Sequence, residues 1–255
     1  MTDAPVISAV VPVRDEAGNI DRLIAELERA LRPLKSFEIV YVDDGSTDGT
    51  GPALAVAAAR VPELRVLRHA TGSGQSAALM TGVRSARADW VVTLDGDGQN
   101  DPADIALLLK ACDRELKRLG DPEAAVMICG RRTTRRDTFI KRLSSRVANA
   151  VRGRLLGDRT PDSGCSLKLF RRRDYLLLPN FDHMHRFLPA LMLRQGGKVL
   201  SVAVTHRARF SGKSNYGLFD RLWVGIVDLL GVMWLMRRAP APEIGKEQDK
   251  ETERP

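Results

Sequence analysis

The stretch Val91–Asp97, with the sequence VVTLDGD, constrains the fold of this chain more than any other. Its first four residues are apolar or β-branched and predict a buried strand, and the acids Asp95 and Asp97 follow at its carboxyl end. Open α/β sheets bind ligands at the carboxyl ends of their strands. Two carboxylates and the amide oxygen of Gln99 suit one hard divalent cation that diphosphate oxygens also coordinate. The pattern indicates an enzyme of nucleotide diphosphates, although paired acids after a strand also occur in ordinary solvated turns.

Strands and helices alternate over the first half of the chain. Hydrophobic patterning predicts strands at Val6–Val13, Phe37–Val42, Leu64–Leu67 and Trp90–Leu94. Apolar helical spacing predicts helices at Ile20–Leu31, Pro52–Arg60, Gln75–Ser85 and Pro102–Leu119. This alternation predicts an α/β fold with a mostly parallel sheet covered by helices on both faces.

The second half of the chain is less regular. Further strands are predicted at Ala125–Cys129, Cys165–Phe170 and Val199–Val204, a basic helix at Ile140–Leu156, and an apolar helix at Leu218–Met236. We therefore expect one α/β domain over residues 1–216, an apolar helix over 217–238 and a disordered, charged tail over 239–255.

The charge of the chain points to an anionic partner. The formal net charge is +8, and the basic residues concentrate in two segments, Arg131–Arg173 and Arg207–Lys213. Such clusters favour local phosphate sites over a uniformly basic coat. Few aromatic side chains interleave with the cations, so we expect no nucleic acid partner.

Acids recur where the predicted strands end. Glu16 follows the first strand, Asp43 and Asp44 follow the second, and Asp95 and Asp97 follow the fourth. The carboxyl ends of parallel strands lie along one edge of the sheet, so these acids are expected to converge on one crevice. Any one of them alone is also explained as a turn or capping residue.

A glycine-rich segment offers a competing interpretation. Gly72–Ala77 matches the pattern Gly-x-Gly-x-x-Ala between a strand and a helix, with Asp95 about 20 residues further on. This is the fingerprint of a dinucleotide site, and it leaves an NAD-dependent oxidoreductase open. That fingerprint normally opens the first strand–helix unit of a domain, whereas here it opens the third.

Six motifs occur in an order that resembles one enzyme family. They are Val10–Glu16 (VVPVRDE), Val42–Thr50 (VDDGSTDGT), Asp95–Pro102 (DGDGQNDP), Asp162–Phe170 (DSGCSLKLF), Met184–Leu191 (MHRFLPAL) and His206–Gly217 (HRARFSGKSNYG). The first three are similar to the nucleotide-sugar half of family 2 glycosyltransferases, which have the Rossmann-like GT-A fold. The last three are similar to the dolichol-phosphate mannose synthase branch, which includes bacterial enzymes that glycosylate undecaprenyl phosphate.

The resemblance implies roles for individual residues. It implies that the nucleoside is held by Pro12, Arg14, Glu16, Val42 and Asp44, with Leu94 and Gly96 lining the donor site. It implies that Mg²⁺ or Mn²⁺ is bound by Asp95, Asp97 and Gln99. Arg131, Arg209 and Lys213 would face donor or acceptor phosphate, and Asp97, Arg131 and Arg209 would be catalytic. The family's Ser-Lys-Tyr-Gly stands here as Ser214–Gly217 with Asn215 in place of the lysine, and Lys213 is the candidate replacement.

The implied acceptor is the phosphate of a polyprenyl lipid. The segment Phe181–Arg186 lacks the acidic pair from which many relatives take a base for a sugar hydroxyl. A phosphate monoester needs no such base, because its second pKa is about 6. It needs positive charge, for which the candidates are Arg131, Arg132, Arg135, Arg136, Lys141, Arg142 and Arg146. A non-catalytic basic binding protein on a degenerate transferase fold is a further alternative, and His183 and His185 are expected to be structural.

The apolar segment Leu222–Met236 predicts where the enzyme works. As a helix its 15 residues span about 22 Å, less than the ~30 Å hydrocarbon core of a bilayer, and Asp228 interrupts it. Trp223, Trp234 and the nearby arginines suit a membrane surface. We therefore expect a peripheral enzyme on the cytoplasmic face of the membrane, with a membrane-embedded partner protein left open. Burial of this helix against the catalytic domain is the alternative. Three widely spaced cysteines, Cys112, Cys129 and Cys165, agree with a reducing compartment.

Overall fold

The computed structural model of the chain describes residues 4–133, 153–208 and 218–238. Most of the predicted basic helix Ile140–Leu156 therefore lies outside the described residues. The same holds for Arg209, Lys213 and Asn215, and for the charged tail 239–255.

Seven strands of the described chain form one sheet. They are β1 (Ile7–Val13), β2 (Phe37–Asp43), β3 (Leu64–Arg68), β4 (Trp90–Thr93), β5 (Val126–Arg132), β6 (Lys168–Arg171) and β7 (Lys198–Val204). Their order across the sheet is β3-β2-β1-β4-β6-β5-β7. The strand β6 runs antiparallel to both of its neighbours, and every other pair is parallel. The sheet is thus mostly parallel, as the sequence predicts.

Helices cover both faces of this sheet. They are α1 (Ile20–Leu31), α2 (Thr50–Arg60), α3 (Gln75–Ser85), α4 (Ile105–Leu119), α5 (Arg172–Leu176), α6 (Leu188–Arg194) and α7 (Leu218–Met236). One core, which we call the α1 face, contains the apolar sides of α1, α2 and α4. The other, the α3 face, contains α3, α5, α6 and part of α7. Because both faces of the central strands are buried, β1 and β2 are nearly all apolar.

The element bounds depart from the sequence-based ones in the second half. Strand β5 continues three residues beyond the predicted end at Cys129, so it includes Arg131 and Arg132. Strand β6 begins at Lys168 rather than Cys165, because the chain first makes a turn in which the amide of Cys165 donates to the carbonyl of Asp162. The short helices α5 and α6 were not predicted, because so few residues carry little periodic signal.

Helix α7 packs through only part of its surface. Val232 is buried in the core of the α3 face. Four neighbours in α7 pack against this core: Leu229, Met233, Leu235 and Met236. On the outer side, Ile226, Val227, Leu230 and Trp234 are 42%, 52%, 59% and 60% exposed. Within the described part of the chain, no helix is long and apolar enough to cross a membrane.

Close approach between β1 and the loop after β4 depends on Gly96. A Cβ atom at this position would lie 2.2 Å from Cγ1 of Val13 and 3.3 Å from the carbonyl oxygen of Pro12. Val13 is buried and β-branched, so its side chain has little freedom to move away. Gly96 therefore allows the acids Asp95 and Asp97 to lie against the end of β1.

The substitution Gly96→Ala should destabilise the fold. The added methyl overpacks a rigid site, which typically costs about 1–3 kcal/mol. The matched control is Gly225→Ala in α7, where an added Cβ meets no atom within 4 Å. Urea unfolding of the two variants and the parent chain measures the difference. Equal stability of both variants would show that the loop after β4 relaxes without strain.

Candidate active site at the carboxyl edge of the sheet

The strand register brings the predicted acids to one edge of the sheet. Val13, the last residue of β1, is paired with Asp43 of β2, and Val10 of β1 is paired with Thr93 at the end of β4. The segments that follow these strands therefore leave the sheet side by side. The predicted convergence is present in the structure, and the site grows from this edge.

Asp44 organises the glycine-rich loop that precedes α3. Its Oδ1 accepts a hydrogen bond from the amide of Ser73 and its Oδ2 accepts one from the amide of Gly74, both at 2.8 Å. Nδ1 of His69 lies 2.7 Å from Oδ1. Burial raises the pKa of Asp44, but the bonds from Ser73, His69 and Gly74 outweigh burial and hold that pKa below its usual value.

The same bonds bear on the dinucleotide interpretation. In a dinucleotide site, the amides of the glycine-rich loop bind the pyrophosphate. Here the amides of Ser73 and Gly74 donate to the carboxylate of Asp44, a residue of the same sheet edge. The loop Gly72–Ala77 thus binds a carboxylate of the protein itself, and this contact fixes the start of α3.

The loop after β1 carries the next predicted donor residues. Arg14 is exposed, and its guanidinium lies against Gly72, where a Cβ would be only 2.2 Å from Nη1. The amide of Glu16 donates to Oγ1 of Thr50 at 2.9 Å, which ties this loop to the start of α2. Arg14 and Glu16 therefore stand at the open side of the same edge as Asp44.

The predicted apolar donor residues are buried or half-buried at this edge. The side chain of Val42 is fully buried on the α3 face, and that of Leu94 is fully buried on the α1 face. Pro12 is half-buried, and its carbonyl oxygen lies beside Gly96.

Asp95 and Asp97 are two neighbouring carboxylates whose negative charges repel each other. Burial and, next, the charge of Asp97 raise the pKa of Asp95 to about 6, despite the opposing effect of nearby cations. Oδ1 of Asp95 accepts a 2.7 Å hydrogen bond from Nε2 of Gln75, the first residue of α3. Oδ1 of Asp97 accepts one from the amide of Gln99 at 3.0 Å. Two carboxylates that repel each other gain stability when a cation lies between them.

The donor set fits a hard divalent cation that shares its coordination with a substrate. Among the described residues, no group of three or more His, Cys, Asp or Glu side chains is placed to hold a metal alone. Mg²⁺ is commonly held by one or two carboxylates together with substrate phosphates. Asp95 and Asp97, with the amide group of Gln99, match that second arrangement.

Two cations act on Asp95: Arg132, which was among the candidate cations, and Lys168, which was missed as a site residue. The guanidinium of Arg132 donates to both carboxylate oxygens of Asp162 at 2.7 Å, and the charge of Arg132 reaches Asp95. Burial lowers the pKa of Arg132, but the bonds to Asp162 outweigh it and raise that pKa above its ordinary value. Lys168 is buried, its Nζ donates to the carbonyl oxygens of Ser163 and Cys165, and its charge also acts on Asp95. The available signal was a lysine inside the predicted strand Cys165–Phe170, because lysine is rarely buried unless it has a partner.

Arg131 has a different position from that of its neighbour. Successive side chains of a strand point to opposite faces, so Arg131 and Arg132 leave β5 in opposite directions. Arg131 is exposed, whereas Arg132 is partly buried next to Asp162. The predicted contact of Arg131 with phosphate stays a prediction, and Arg132 is the cation that the described structure places near Asp95.

A pocket of about 230 Å³ opens beside Asp95. Its walls come from the start of α3, the end of β4, the turn before β6 and the turn before α6. The residues that line it are Gln75, Leu79, Thr93, Leu94, Asp95, Ser163, Gly164, Ser166, Lys168, His185, Arg186 and Leu188. Asp95 is the only acid in this lining, which also has two cationic side chains, Lys168 and Arg186.

His185 is held neutral in this pocket wall. Burial, followed by the charges of Arg186 and Lys168, lowers the pKa of His185 to about 3. Its Nδ1 lies 2.8 Å from Oγ of Ser76, and its amide donates to the same hydroxyl at 3.2 Å. His185 thus ties the turn before α6 to α3, in agreement with the structural role predicted for it.

The buried imidazole should make the fold sensitive to acid. In the unfolded chain His185 binds a proton near its ordinary pKa of 6.5, whereas in the folded chain it does so only near 3. The unfolded state therefore binds more protons between these values, and stability falls as the pH falls through them. His185→Gln should lose about 2 kcal/mol less than the parent chain between about pH 7 and about pH 4.5, after allowance for partial exposure. Urea titrations at both pH values test this, and identical losses in the two proteins would contradict it.

The chain resembles curated proteins that act on polyprenyl phosphates. It is 33% identical over 240 residues to the dodecaprenyl-phosphate galacturonate synthase of Rhizobium johnstonii, covering 92% of this chain and 69% of that protein. It is 32% identical over 215 residues to the undecaprenyl-phosphate 4-deoxy-4-formamido-L-arabinose transferase of Edwardsiella ictaluri, covering 83% of this chain and 63% of that protein. The chain therefore spans about two thirds of the length of these relatives.

Solved structures share the fold at lower identity. The mannosyltransferase PcManGT from Pyrobaculum calidifontis, solved with GDP-Man and Mn²⁺, matches with a TM-score of 0.64 at 20% identity, covering 94% of this chain and 67% of that chain. Glucosyl-3-phosphoglycerate synthase from Mycobacterium tuberculosis matches with a TM-score of 0.64 at 19% identity, covering 98% of this chain and 86% of that chain. The fold is the GT-A fold of glycosyltransferases.

The family follows from the matched region and the site together. The model of the family described as glycosyl transferase family 2 matches residues 8–176, which include β1 to β6 and all the acids of the sheet edge. The relatives of about one third identity cover most of the same region. This chain belongs to family 2 of the glycosyltransferases.

Proposed function

We propose that this glycosyltransferase moves a sugar from a nucleotide diphosphate-sugar to the phosphate of a polyprenyl lipid. The names of the two curated relatives, which both specify a polyprenyl phosphate and a sugar, support this acceptor class. The observation that carries the proposal from within the chain is the chemistry of the pocket beside Asp95, where the described residues supply cations but no suitable base.

The donor occupies the carboxyl edge of the sheet in this proposal. Arg14, Glu16 and Asp44 lie around the opening where the nucleoside would bind, and Gln75 holds Asp95 at the inner end. Mg²⁺ or Mn²⁺, held by Asp95, Asp97 and Gln99, would supply positive charge to the departing nucleotide diphosphate. Arg209 and Lys213 complete the prediction for the phosphates and lie outside the described residues.

The acceptor must bring its own negative charge. A sugar hydroxyl requires a general base, yet the only acid that lines the pocket within the described chain is Asp95, which the proposal commits to the cation. His185 is a weak base, since its pKa is lowered to about 3. A phosphate monoester is already a nucleophile at neutral pH, because its second pKa is about 6. Lys168 and Arg186 offset its repulsion from the donor diphosphate, and displacement in line would invert the anomeric carbon.

The site argues against the two alternative functions, an NAD-dependent oxidoreductase and a non-catalytic basic binding protein. The glycine-rich loop, on which an oxidoreductase would depend, uses two of its amides for Asp44. A basic binding protein with a degenerate fold would have no reason to keep two repelling carboxylates, Asp95 and Asp97, at a half-buried edge.

The acceptor class can be tested directly. Labelled sugars carried on UDP, GDP and other nucleotides are incubated with polyprenyl phosphate or with the polyprenol that lacks the phosphate. Transfer is expected to the phosphate alone, because the pocket has no base for an alcohol. Efficient glycosylation of the polyprenol, read from labelled lipid on thin-layer chromatography, would refute the proposal.

Removal of a carboxylate should abolish that transfer. Asp97→Ala should cost at least ~3 kcal/mol of transition-state stabilisation, which is more than a hundredfold in rate. The chain should stay folded, as circular dichroism can verify. Asp113→Ala is the control, since Asp113 is an exposed acid that pairs with Lys117 far from the edge. Near-normal turnover of Asp97→Ala, or full activity in excess EDTA, would contradict the metal role.

We propose further that the enzyme lies on the cytoplasmic membrane surface through α7. The exposed residues Ile226, Val227, Leu230 and Trp234 recur at helical spacing, so they form one apolar strip, and Arg237 and Arg238 follow it. Cations beside an apolar strip favour a surface of anionic lipid. The names of the two relatives include no partner protein, so a membrane-embedded partner stays a prediction.

Vesicle flotation with matched variants tests this docking. Leu230→Ser combined with Trp234→Ser should reduce flotation with anionic vesicles at least tenfold, because each lost apolar contact weakens binding. Val56→Ser combined with Leu107→Ser removes two exposed apolar residues from other helices and should leave flotation unchanged. Equal flotation of both double variants would place the membrane contact elsewhere.

A further inference from the structure

Asp228 is an acid in the middle of the apolar helix α7. A carboxylate in such a position loses hydration and is tolerated when a partner offsets its charge. Oδ2 of Asp228 is buried, makes no hydrogen bond within the described structure and lies 3.0 Å from Nδ1 of His183; the side chains of Asp228 and His183 are 16% and 29% exposed. Neither the sheet edge nor the apolar strip of α7 accounts for this pair.

His183 lies where the chain turns toward the pocket. It has a left-handed backbone conformation with φ of 62°, which is uncommon for a residue other than glycine, and the turn Met184–Arg186 follows it. The carbonyl oxygen of His183 accepts the amide of Arg186 at 3.0 Å. His185 and Arg186, both in this turn, line the pocket beside Asp95. A change at His183 is therefore transmitted over two residues to the pocket wall.

Helix α7 is fixed at two points. Near its middle, Asp228 meets His183, and at its end the guanidinium of Arg194 donates to the carbonyl oxygens of Leu235 at 3.0 Å and Arg238 at 3.3 Å. Arg194 belongs to α6, which begins directly after the pocket turn. The side of α7 that carries the apolar strip thus faces away from the elements that form the pocket wall.

We propose that Asp228 is a positioning residue that couples α7 to the pocket through His183. By holding His183, it sets the turn 184–186 and so the placement of Arg186 at the reacting phosphate. The inference rests on the proposed function, in which α7 meets the lipid surface and the pocket receives the acceptor. The contact between Asp228 and His183 then links the helix that docks on the membrane to the turn that forms the pocket wall.

Substitutions at the two ends of the contact test this coupling. Asp228→Asn and His183→Asn each remove the contact between carboxylate and imidazole, and asparagine tolerates the left-handed conformation required at position 183. Each should lower kcat for transfer to polyprenyl phosphate about tenfold while leaving KM for the nucleotide-sugar within about twofold, as expected for misplacement of a reacting group. The double variant should be no slower than either single one, because both remove the same contact.

The chain offers a matched control. Asp182 is a second carboxylate near His183, with Oδ2 3.5 Å from Nε2, but it is 69% exposed and belongs to the turn itself. Asp182→Asn should leave kcat unchanged, and Asp228→Glu, which keeps the carboxylate, should recover most of the lost rate. Additive losses in the double variant, or equal effects of Asp182→Asn and Asp228→Asn, would overturn the proposal.

Hydrogen exchange and flotation separate this inference from the proposed function. Amides of residues 184–188 should exchange faster in Asp228→Asn than in Asp182→Asn, whether or not a substrate is known. Flotation with vesicles should be the same in both variants, because the apolar strip is intact. Unchanged exchange would sink the coupling even if transfer is observed. Faster exchange without any transfer in the parent chain would keep the coupling and reject the assigned substrates.

Discussion

Repulsion between Asp95 and Asp97 is the constraint on which the rest of the site depends. The strand β4 ends by bringing both carboxylates into a half-buried position, where burial and mutual charge raise the pKa of Asp95 to about 6. Such a pair is unfavourable in isolation and persists because the surroundings hold it. Gln75 donates a hydrogen bond to Asp95, and the charges of Lys168 and Arg132 stabilise the carboxylate of Asp95. These three residues come from different elements. These neighbours therefore offset part of the repulsion between the two carboxylates.

The antiparallel strand β6 explains how those neighbouring cations get there. A fully parallel sheet would send only the carboxyl ends of strands to this edge, whereas β6 runs the other way and brings its first residue, Lys168. The turn before β6 contributes Ser166, whose hydroxyl accepts the amide of Asp95 at 3.1 Å, and Asp162, which holds Arg132. The reversal thus places a buried positive charge beside the two acids.

Sequence patterns predicted the parts of this arrangement that repeat locally. Runs of apolar and β-branched residues located β1 to β4, and apolar helical spacing located α1 to α4, each within a few residues, because regular elements carry strong signals. The acids at strand ends were predicted for the same reason, as their positions follow from the strands. The placement of Arg132 and Lys168 beside Asp95 could not be predicted, because it depends on which face of β5 and β6 meets β4. Side-chain direction changes with a shift of one residue, and the bounds of both strands were misjudged by three.

The helices on the two faces of the sheet differ in the polarity of their outer surfaces, and this difference indicates the side from which a lipid would approach. On the α1 face, helices α1 and α4 present charged residues outward, such as Arg22, Lys110 and Arg114, so water covers them. On the α3 face, α7 presents its apolar strip outward and lies against the helix that follows the pocket turn. A nucleotide-sugar arrives from water, and a polyprenyl phosphate arrives with its chain in the bilayer. In the proposed function the first therefore enters at the exposed sheet edge near Arg14, and the second enters from the side of α7, so that the two phosphates meet at Asp95 without crossing the same opening.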